Sequence, residues 1–409
     1  MHDVVREMAL WIATDFGRDK ERCIVQAGVS LREVPTVENW ASVRRMSLME
    51  NKIENISDSP ECPELTTLLL QKNRLTNISG EFFKSMPRLV VLDLSRSRDF
   101  NGLPEEISEL VSLRYLDLSR TAIRRLPGGL LKLKMLIYLN LEGTWQLESI
   151  YGISNLSSLK TLRLIRSKVR QNLDGMKELQ LLEHLEVVTV DIGSILVANQ
   201  LLNTTRVANV IQELLFAFVK EKDVLTIPNM EVLSTLKMSL SEMVEINIEK
   251  RTSWGNKIPT TPDFLNLSTV SLYSCHGLKD LTWLLYAPNL SDLKVNSSRQ
   301  IEDIISKEKT VNLFAGTIIP FQRLEHFQVR YLWELKSIYW RPLPFPCLRK
   351  FNILYCPKLR KLPLDSKSGS SNPGEDLVIH NDEQNWIDEV EWEDETTKER
   401  FLPSLQPSY

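Results

Sequence analysis

Five histidines and five cysteines are the side chains of this 409-residue sequence best suited to proton transfer, metal ligation or nucleophilic attack, and their spacing decides what is open to them. His2, His184, His276, His326 and His380 form no HExxH pair, and no GxSxG elbow presents a serine nucleophile. The cysteines, Cys23, Cys62, Cys275, Cys347 and Cys356, are odd in number and irregularly spaced, with no CxxC pair, so they outline neither a disulfide framework nor a zinc site. A reducing compartment accounts for them. No GxxxxGK[ST] phosphate loop occurs. His2 alone has a suggestive setting. It begins the stretch HDVVREMALWIA, in which Val4, Val5, Met8, Trp11 and Ile12 recur at helical spacing and Asp3 can serve as N-cap. Backbone N–H groups and the dipole at such a helix start favour an anion such as phosphate. These patterns predict no catalytic residue, no metal site and no cofactor held by this chain alone.

Composition narrows the class further. Hydrophobic residues make up 43% and charged residues 25%, as in ordered water-soluble proteins. The 50 basic and 53 acidic residues nearly balance, but eleven acidic against two basic residues fall between Glu375 and Arg400, leaving a mildly basic body and an acidic tail. No basic run is interleaved with aromatics as a nucleic-acid groove requires. No apolar run reaches the length of a membrane span, IQELLFAFV being the nearest, and the first residues lack the layout of a secretory signal.

The elements that position these residues come from an internal repeat. SVRRMSLMEN, ELTTLLLQKN, RLVVLDLSRS, SLRYLDLSRT, MLIYLNLEGT and SLKTLRLIRS share one template: apolar, two variable, apolar, one variable, apolar, two variable, small polar. Its first apolar position falls at Val43, Leu65, Leu89, Leu113, Leu136, Leu159 and Leu182, then at Ile211, Leu233, Leu267, Leu290, Leu324 and Leu348, thirteen units in all. Early gaps are 22 to 24 residues; later ones stretch to 34. This is the signature of a leucine-rich repeat, an α/β solenoid built on a curved parallel β-sheet, a horseshoe.

Each template position has a physical job. Alternate strand side chains share a face, so Leu116 and Leu118 point inward while Tyr115, Asp117 and Ser119 point out on the concave side. The ninth position (Asn51, Asn73, Ser97, Thr121, Thr144, Ser167, Ser241, Cys275, Ser298, Cys356) is expected to bond backbone groups where the chain leaves the sheet. Val190, Val219 and Leu332 depart from this rule, which predicts irregular repeats there. After the polar position, Leu-Pro in FNGLPEEISEL and IRRLPGGLLKL precedes a short helical turn, with proline fixing its start. The seven glycosylation sequons, at Asn55, Asn77, Asn155, Asn203, Asn266, Asn289 and Asn296, follow from the N-L start of the repeats more simply than from secretion.

With the repeats in place, the opening acquires meaning. Met1-His2-Asp3 followed by VVREMALWIA resembles the MHD motif that closes the nucleotide-binding (NB-ARC) module of plant intracellular immune receptors, which combine a coiled coil, a nucleotide switch and leucine-rich repeats. The resemblance continues through ERCIVQAG, VENWASVRRMSLMENKIENI and VEWEDETTKERFLPS, and so covers essentially the whole chain. It implies that His2 touches the β-phosphate of bound ADP and that Asp3 holds the loop in its inactive arrangement, with ADP or ATP the cofactor of the full-length family. Without the phosphate loop the site is incomplete, so this chain by itself should not bind a nucleotide, and it begins in the middle of the family pattern as a truncated gene model or a natural fragment would.

The expected organisation is therefore residues 1–40 as the C-terminal remnant of the nucleotide-binding module, 41–364 as about thirteen repeats, and 365–409 as a linker, SKSGSSNPGED, and an acidic cap in which Trp386 and Trp392 alternate with carboxylates. The resemblance implies a recognition and autoregulatory part without catalysis, acting in the cytoplasm or at the inner face of the plasma membrane through segments not in this chain. Its partners would be a pathogen effector or an effector-modified host protein, and the nucleotide-binding module of the same receptor. Contacts are expected on the concave face at Tyr115, Asp117, Tyr138, Asn140, Glu142, Arg163, Tyr273, Lys294, His326, Gln328, Arg330 and Lys350, a mixture of aromatic and charged groups suited to a protein surface. A basic group, Arg88, Arg96, Arg98, Arg114, Arg120, Arg124 and Arg125, could dock acidic parts of the switch or form a solvated edge. The alternatives are a stand-alone repeat adaptor or decoy and, third, a secreted receptor ectodomain.

Overall fold

The computed structural model describes residues 22–57, 60–171, 173–249, 264–311, 319–369, 377–381, 386 and 389–407; the expected N-terminal helix, with His2 and Asp3, lies outside them. Sixteen described strands run parallel in strict chain order, and thirteen of them fall on the thirteen predicted repeats. The chain divides into two compact units, 1–190 and 191–409.

In the first unit the strands are β1 (Cys23–Val25), β2 (Arg45–Ser47), β3 (Thr67–Leu69), β4 (Val91–Asp93), β5 (Tyr115–Asp117), β6 (Tyr138–Asn140), β7 (Thr161–Arg163) and the start of β8 (Val187–Ile192). Most are only three residues long, too short to persist without neighbours, and their cohesion comes from stacking. Registers place Leu68, Leu92, Leu116, Leu139 and Leu162 in one row. All are at most 1% exposed, as are Leu94, Leu118, Leu141 and Leu164 of the parallel inner row. Each such leucine contributes on the order of 1.5–3 kcal/mol of transfer free energy. Strand β1 was not foreseen. It pairs with β2 through Cys23 and Arg45, and Asn51 fastens the segment after it, donating to the carbonyl of Gln26 at 2.7 Å and accepting from the amides of Val29 and Leu31.

One backbone feature recurs at the end of twelve strands. The residue before the ninth template position has positive φ: Glu50, Lys72, Arg96, Arg120, Gly143 and Arg166 in the first unit, and Phe218, Leu240, Ser274, Ser297, Tyr331 and Tyr355 in the second, with φ between 51° and 70°. Eleven of these are not glycine, and a left-handed residue with a side chain costs roughly 1–2 kcal/mol. The turn persists because the same residue's N–H donates to the next repeat, as Lys72 does to Ser95, Arg96 to Ser119 and Arg120 to Glu142 at 2.7–2.8 Å. It also swings the ninth side chain inward. Asn73 donates to the carbonyls of Leu48 and Leu70 (2.8 and 2.9 Å) and accepts from Ile53 N; Thr121 and Thr144 donate to Leu118 and Leu141 at 2.6 and 2.7 Å; Cys356 donates weakly to Leu354. Ser97 and Ser167 depart from the expectation, their hydroxyls being buried without a partner among the described residues.

The three apolar exceptions behave differently from one another. At Val190 the structure corrects the predicted register: Val188 pairs with Leu162, so Leu185 rather than Leu182 holds the first apolar position, Val190 is a buried strand residue, and the strand runs on to Ile192. At Val219 and Leu332 the expected irregularity does not occur, because the turn belongs to the preceding backbone, at Phe218 and Tyr331, and the apolar side chain simply enters the core at 0% exposure. The return limbs match their reading: Pro104 caps the 3-10 helix Glu105–Glu109, and Pro127 accepts from Leu130 N at 3.1 Å. The sequon asparagines Asn155, Asn266 and Asn289 donate to the backbone carbonyls of Gly152, Glu231 and Leu265, a structural use of repeat-start asparagine.

In the second unit the strands lengthen: β9 (Ile211–Ala217), β10 (Thr235–Ser241), β11 (Thr269–Cys275), β12 (Asp292–Asn296), β13 (His326–Arg330), β14 (Lys350–Leu354), β15 (Val378–Asn381) and β16 (Leu405–Pro407). Phenylalanine replaces leucine in the core, with Phe327 and Phe351 stacked at 4.9 Å. The segment beyond 364 continues the sheet: β15 pairs with β14, and Asn381 donates to Ile353 O at 3.0 Å as a ninth-position asparagine would. Trp386 is buried and donates to Leu359 O at 2.7 Å, while Lys361 pairs with Glu393 at 2.6 Å and Arg360 with Glu389. The acidic tail thus lies against the last basic pair of the repeats, as a capping segment does.

Two substitutions probe this fold. Leu116→Asp buries an unpaired carboxylate and should lower stability by at least ~3 kcal/mol, read by circular dichroism melting. Asn73→Ala orphans the carbonyls of Leu48 and Leu70 and should cost ~1–3 kcal/mol in the same measurement. An unchanged melt for Leu116→Asp would contradict its inward placement.

Candidate concave-face binding site

The outward strand positions of the first unit form two rows. One runs through Val91, Tyr115, Tyr138 and Thr161, the other through Asp93, Asp117, Asn140 and Arg163. In the first, Tyr115 and Tyr138 stack nearly parallel with centroids 4.4 Å apart, an offset aromatic pair presented half-buried on the sheet. Burial, and for Tyr115 the neighbouring Asp117 carboxylate, raise both phenol pKa values above the usual range, so both rings remain neutral hydrogen-bond donors at physiological pH.

The second row corrects the expectation. Asp117 and Asn140, offered as partner contacts, are each only 8% exposed. Their oxygens are already engaged: Asp117 Oδ1 accepts from Ser119 N at 2.8 Å, Asn140 Oδ1 from Glu142 N at 3.0 Å, and Asn140 Nδ2 donates to Asp117 Oδ2 at 2.9 Å. Asp93 does the same for Ser95 N at 2.9 Å. This short carboxylate or carboxamide reaches the amide two residues on and fixes the chain as it enters the left-handed turn. Burial is the main cause of the raised Asp93 pKa, opposed by the Ser95 hydrogen bonds and reinforced by Asp117. Arg163 is half-buried beside this row, and Glu142 lies past the strand in the turn.

In the second unit the structure brings four candidates together. Lys294, His326, Gln328 and Lys350, joined by Asp292 and Asn352, line a shallow cleft of about 350 Å³. His326 and Lys350 are neighbours in register and exposed. Lys294 pairs with Asp292 at 3.0 Å, and Gln328 donates to Asn296 at 2.9 Å. Arg330 sits half-buried next to Asn296, and Tyr273, 53% exposed, is opposite Asn296 on the other side. Asp292, Asn352 and His380 were missed, although the first two occupy the same alternate template positions as Lys294 and Lys350. His380 extends the Gln328–Asn352 row, and desolvation followed by the charge of Lys350 lowers its pKa. This cleft alternates cations with carboxamide and carboxylate oxygens on the sheet.

The buried thiols are poorly suited to nucleophilic chemistry. Burial pushes Cys275 up to about 12 and Cys62 up to about 11, leaving both protonated at neutral pH. Among the described residues no group of three or more His, Cys, Asp or Glu is arranged to hold a metal ion, and no helix is long and apolar enough to cross a membrane. His2 and Asp3 lie outside the described residues.

Residues 42–369 match the family described as leucine-rich repeat region. Among curated proteins, the Arabidopsis thaliana disease resistance protein RPS5 is 56% identical over 408 residues, 99% of this chain and 46% of that protein. Disease resistance protein SUMM2 of the same plant is 55% identical over 98% of this chain and 45% of its own length. The chain spans about half the length of the curated relatives it matches. Among solved structures, the functional domain of InlJ from Listeria monocytogenes is 12% identical with a TM-score of 0.47, covering 90% of this chain and 70% of that one.

Replacing Asp93 with asparagine tests the structural role of the second row. Asp93→Asn keeps the acceptor for Ser95 N and removes a desolvated charge. Because the folded pKa is raised, ionisation of Asp93 erodes stability as pH rises above the unfolded carboxylate value. The variant should therefore melt higher than the parent at pH 7, and the difference should vanish below about pH 4, where both side chains are neutral.

Proposed function

This chain belongs to the leucine-rich-repeat family and is homologous over essentially its whole length to plant disease resistance proteins; from that premise we propose that it is the recognition and autoregulatory region of a nucleotide-switched immune receptor, acting by protein–protein contact. The observation that carries the reading is the whole-chain identity above 50% to RPS5 and SUMM2. The concave rows support it: a stacked tyrosine pair in one unit and a cation-lined cleft in the other, both outward on rigid sheet, have the aromatic and charged chemistry of protein interfaces. In this reading the partners are a pathogen effector or an effector-modified host protein, and the nucleotide-binding module of the same receptor. The setting is intracellular, at the inner face of the plasma membrane where the remaining segments direct it. His2 would touch the β-phosphate of ADP and Asp3 would hold that loop inactive, once a phosphate loop is supplied from outside this chain. A charge-assisted hydrogen bond of this type is worth on the order of 1.5–3 kcal/mol, enough to bias a two-state switch by tens-fold. The repeat region itself binds and does not catalyse.

Mapping the 5′ end of the transcript and reading the frame upstream of Met1 tests the switch. The expected result is an open frame running through a GxxxxGK[ST] loop. A stop codon there would sink the switch and leave a free repeat adaptor or decoy. With the upstream half supplied as a separate chain, co-precipitation should fall about tenfold or more for a Tyr115→Ala/Tyr138→Ala or a His326→Ala/Lys350→Ala variant whose melting is unchanged. If neither pair matters, contacts lie off the concave face.

A further inference from the structure

The turn edge of the first unit holds an arginine cleft that the concave-face reading does not use. Along this unit, charged side chains of adjacent repeats pair repeatedly: Lys72 with Glu50 at the turn, Arg88 with Glu64 at 2.7 Å and Lys160 with Glu186 at 2.6 Å before the strands, Lys168 with Glu148 at 3.5 Å after them. Arg98, Arg120 and Arg166 break the pattern. All three are exposed, and none of their side chains has an ion-pair or hydrogen-bond partner among the described residues. They converge on one cleft of about 430 Å³.

Gly143 lets the Arg120 stem lie close along the lining of this cleft. Arg120 and Arg166 both occupy the left-handed position, two repeats apart, and the residue between them in that ladder is Gly143. A Cβ there would lie 3.1 Å from the Arg120 Cγ, so the Arg120 stem packs directly against the glycine and depends on the missing side chain for its course along the cleft. Trp145, 59% exposed, supplies an aromatic wall, and Glu142 is the one carboxylate on the rim. Three cations against one anion leave a positive, partly enclosed site. Guanidinium forks match phosphate oxygens in geometry and charge, and an exposed indole offers a face on which a second aromatic ring can stack.

We propose that this cleft binds a phosphorylated tyrosine side chain of a protein partner, the phosphate held between Arg120 and Arg166 with Arg98 at the side, and the phenyl ring against Trp145. The proposal deepens the protein-partner reading and rests on it for the ligand's being carried on a protein.

Fluorescence anisotropy on the full chain tests it, using a short labelled peptide with one phosphotyrosine, the same peptide unphosphorylated, and the same peptide with glutamate at that position. The phosphopeptide should bind at least about tenfold more tightly than either control, and phenyl phosphate should compete. Arg120→Gln/Arg166→Gln should lose that preference, and so should Gly143→Asn, whose Cβ displaces the Arg120 stem while asparagine tolerates the left-handed turn. Arg88→Gln, remote from the cleft and paired with Glu64, should leave it intact, as should the Tyr115→Ala/Tyr138→Ala variant, which separates this site from the concave-face reading. Equal binding of the three peptides, or phosphopeptide affinity unaltered by Arg120→Gln/Arg166→Gln, would overturn the proposal.

Discussion

The left-handed residue at the end of twelve of the sixteen strands is the constraint on which the repeats depend. It turns the chain off the sheet, sends the ninth side chain inward to bond carbonyls, and hands its own N–H to the following repeat. Asn73 shows all three effects joined: Lys72 makes the turn, Asn73 satisfies Leu48 and Leu70, and Lys72 N reaches Ser95 O. Strain at single residues is offset by a bond to the neighbour, so each repeat is stable only within the stack. Such arrays behave as chains of nearest-neighbour couplings.

This coupling also sets the chemistry of the surface. Because the backbone repeats, side chains at one template position stand in line, and their properties sum along the row. Tyr115 and Tyr138 stack; Asp93, Asp117 and Asn140 anchor three successive turns; Arg120 and Arg166 stand one repeat to either side of Gly143. In the second unit the same left-handed position carries Phe218, Leu240, Tyr331 and Tyr355, the two tyrosines stacked at 4.6 Å. One backbone motif therefore presents charge in one unit and aromatic surface in the other.

The repeats were legible because leucine at fixed spacing has one physical cause, burial in a stacked core; the one slip is the repeat read from Leu182, where Leu182 and Leu185 both fit the template and pairing selects Leu185. The roles of Asp117 and Asn140 were less visible because the template treats their positions as variable. The clue was local: aspartate or asparagine two residues before the amide it accepts from, in LDLS and LNLE. Strand β15 escaped notice because VIHN carries none of the template leucines; only its pairing with Lys350–Leu354 identifies it. Strand β1 escaped for a similar reason, CIV being too short to signal anything until β2 is beside it. The cleft at Gly143 is lined by residues from four successive repeats, and its meaning emerges only when the residues one repeat to either side are known.

The anchoring row has a consequence for how such a surface can diversify. A position whose side chain holds the turn tolerates little beyond aspartate and asparagine, whatever the partner demands. In the first unit that removes every second outward position of β4, β5 and β6 from the alphabet available for new specificities. Innovation there is confined to the row of Val91, Tyr115 and Tyr138 and to the turn edge, so the evolvable surface is narrower than the sheet that displays it.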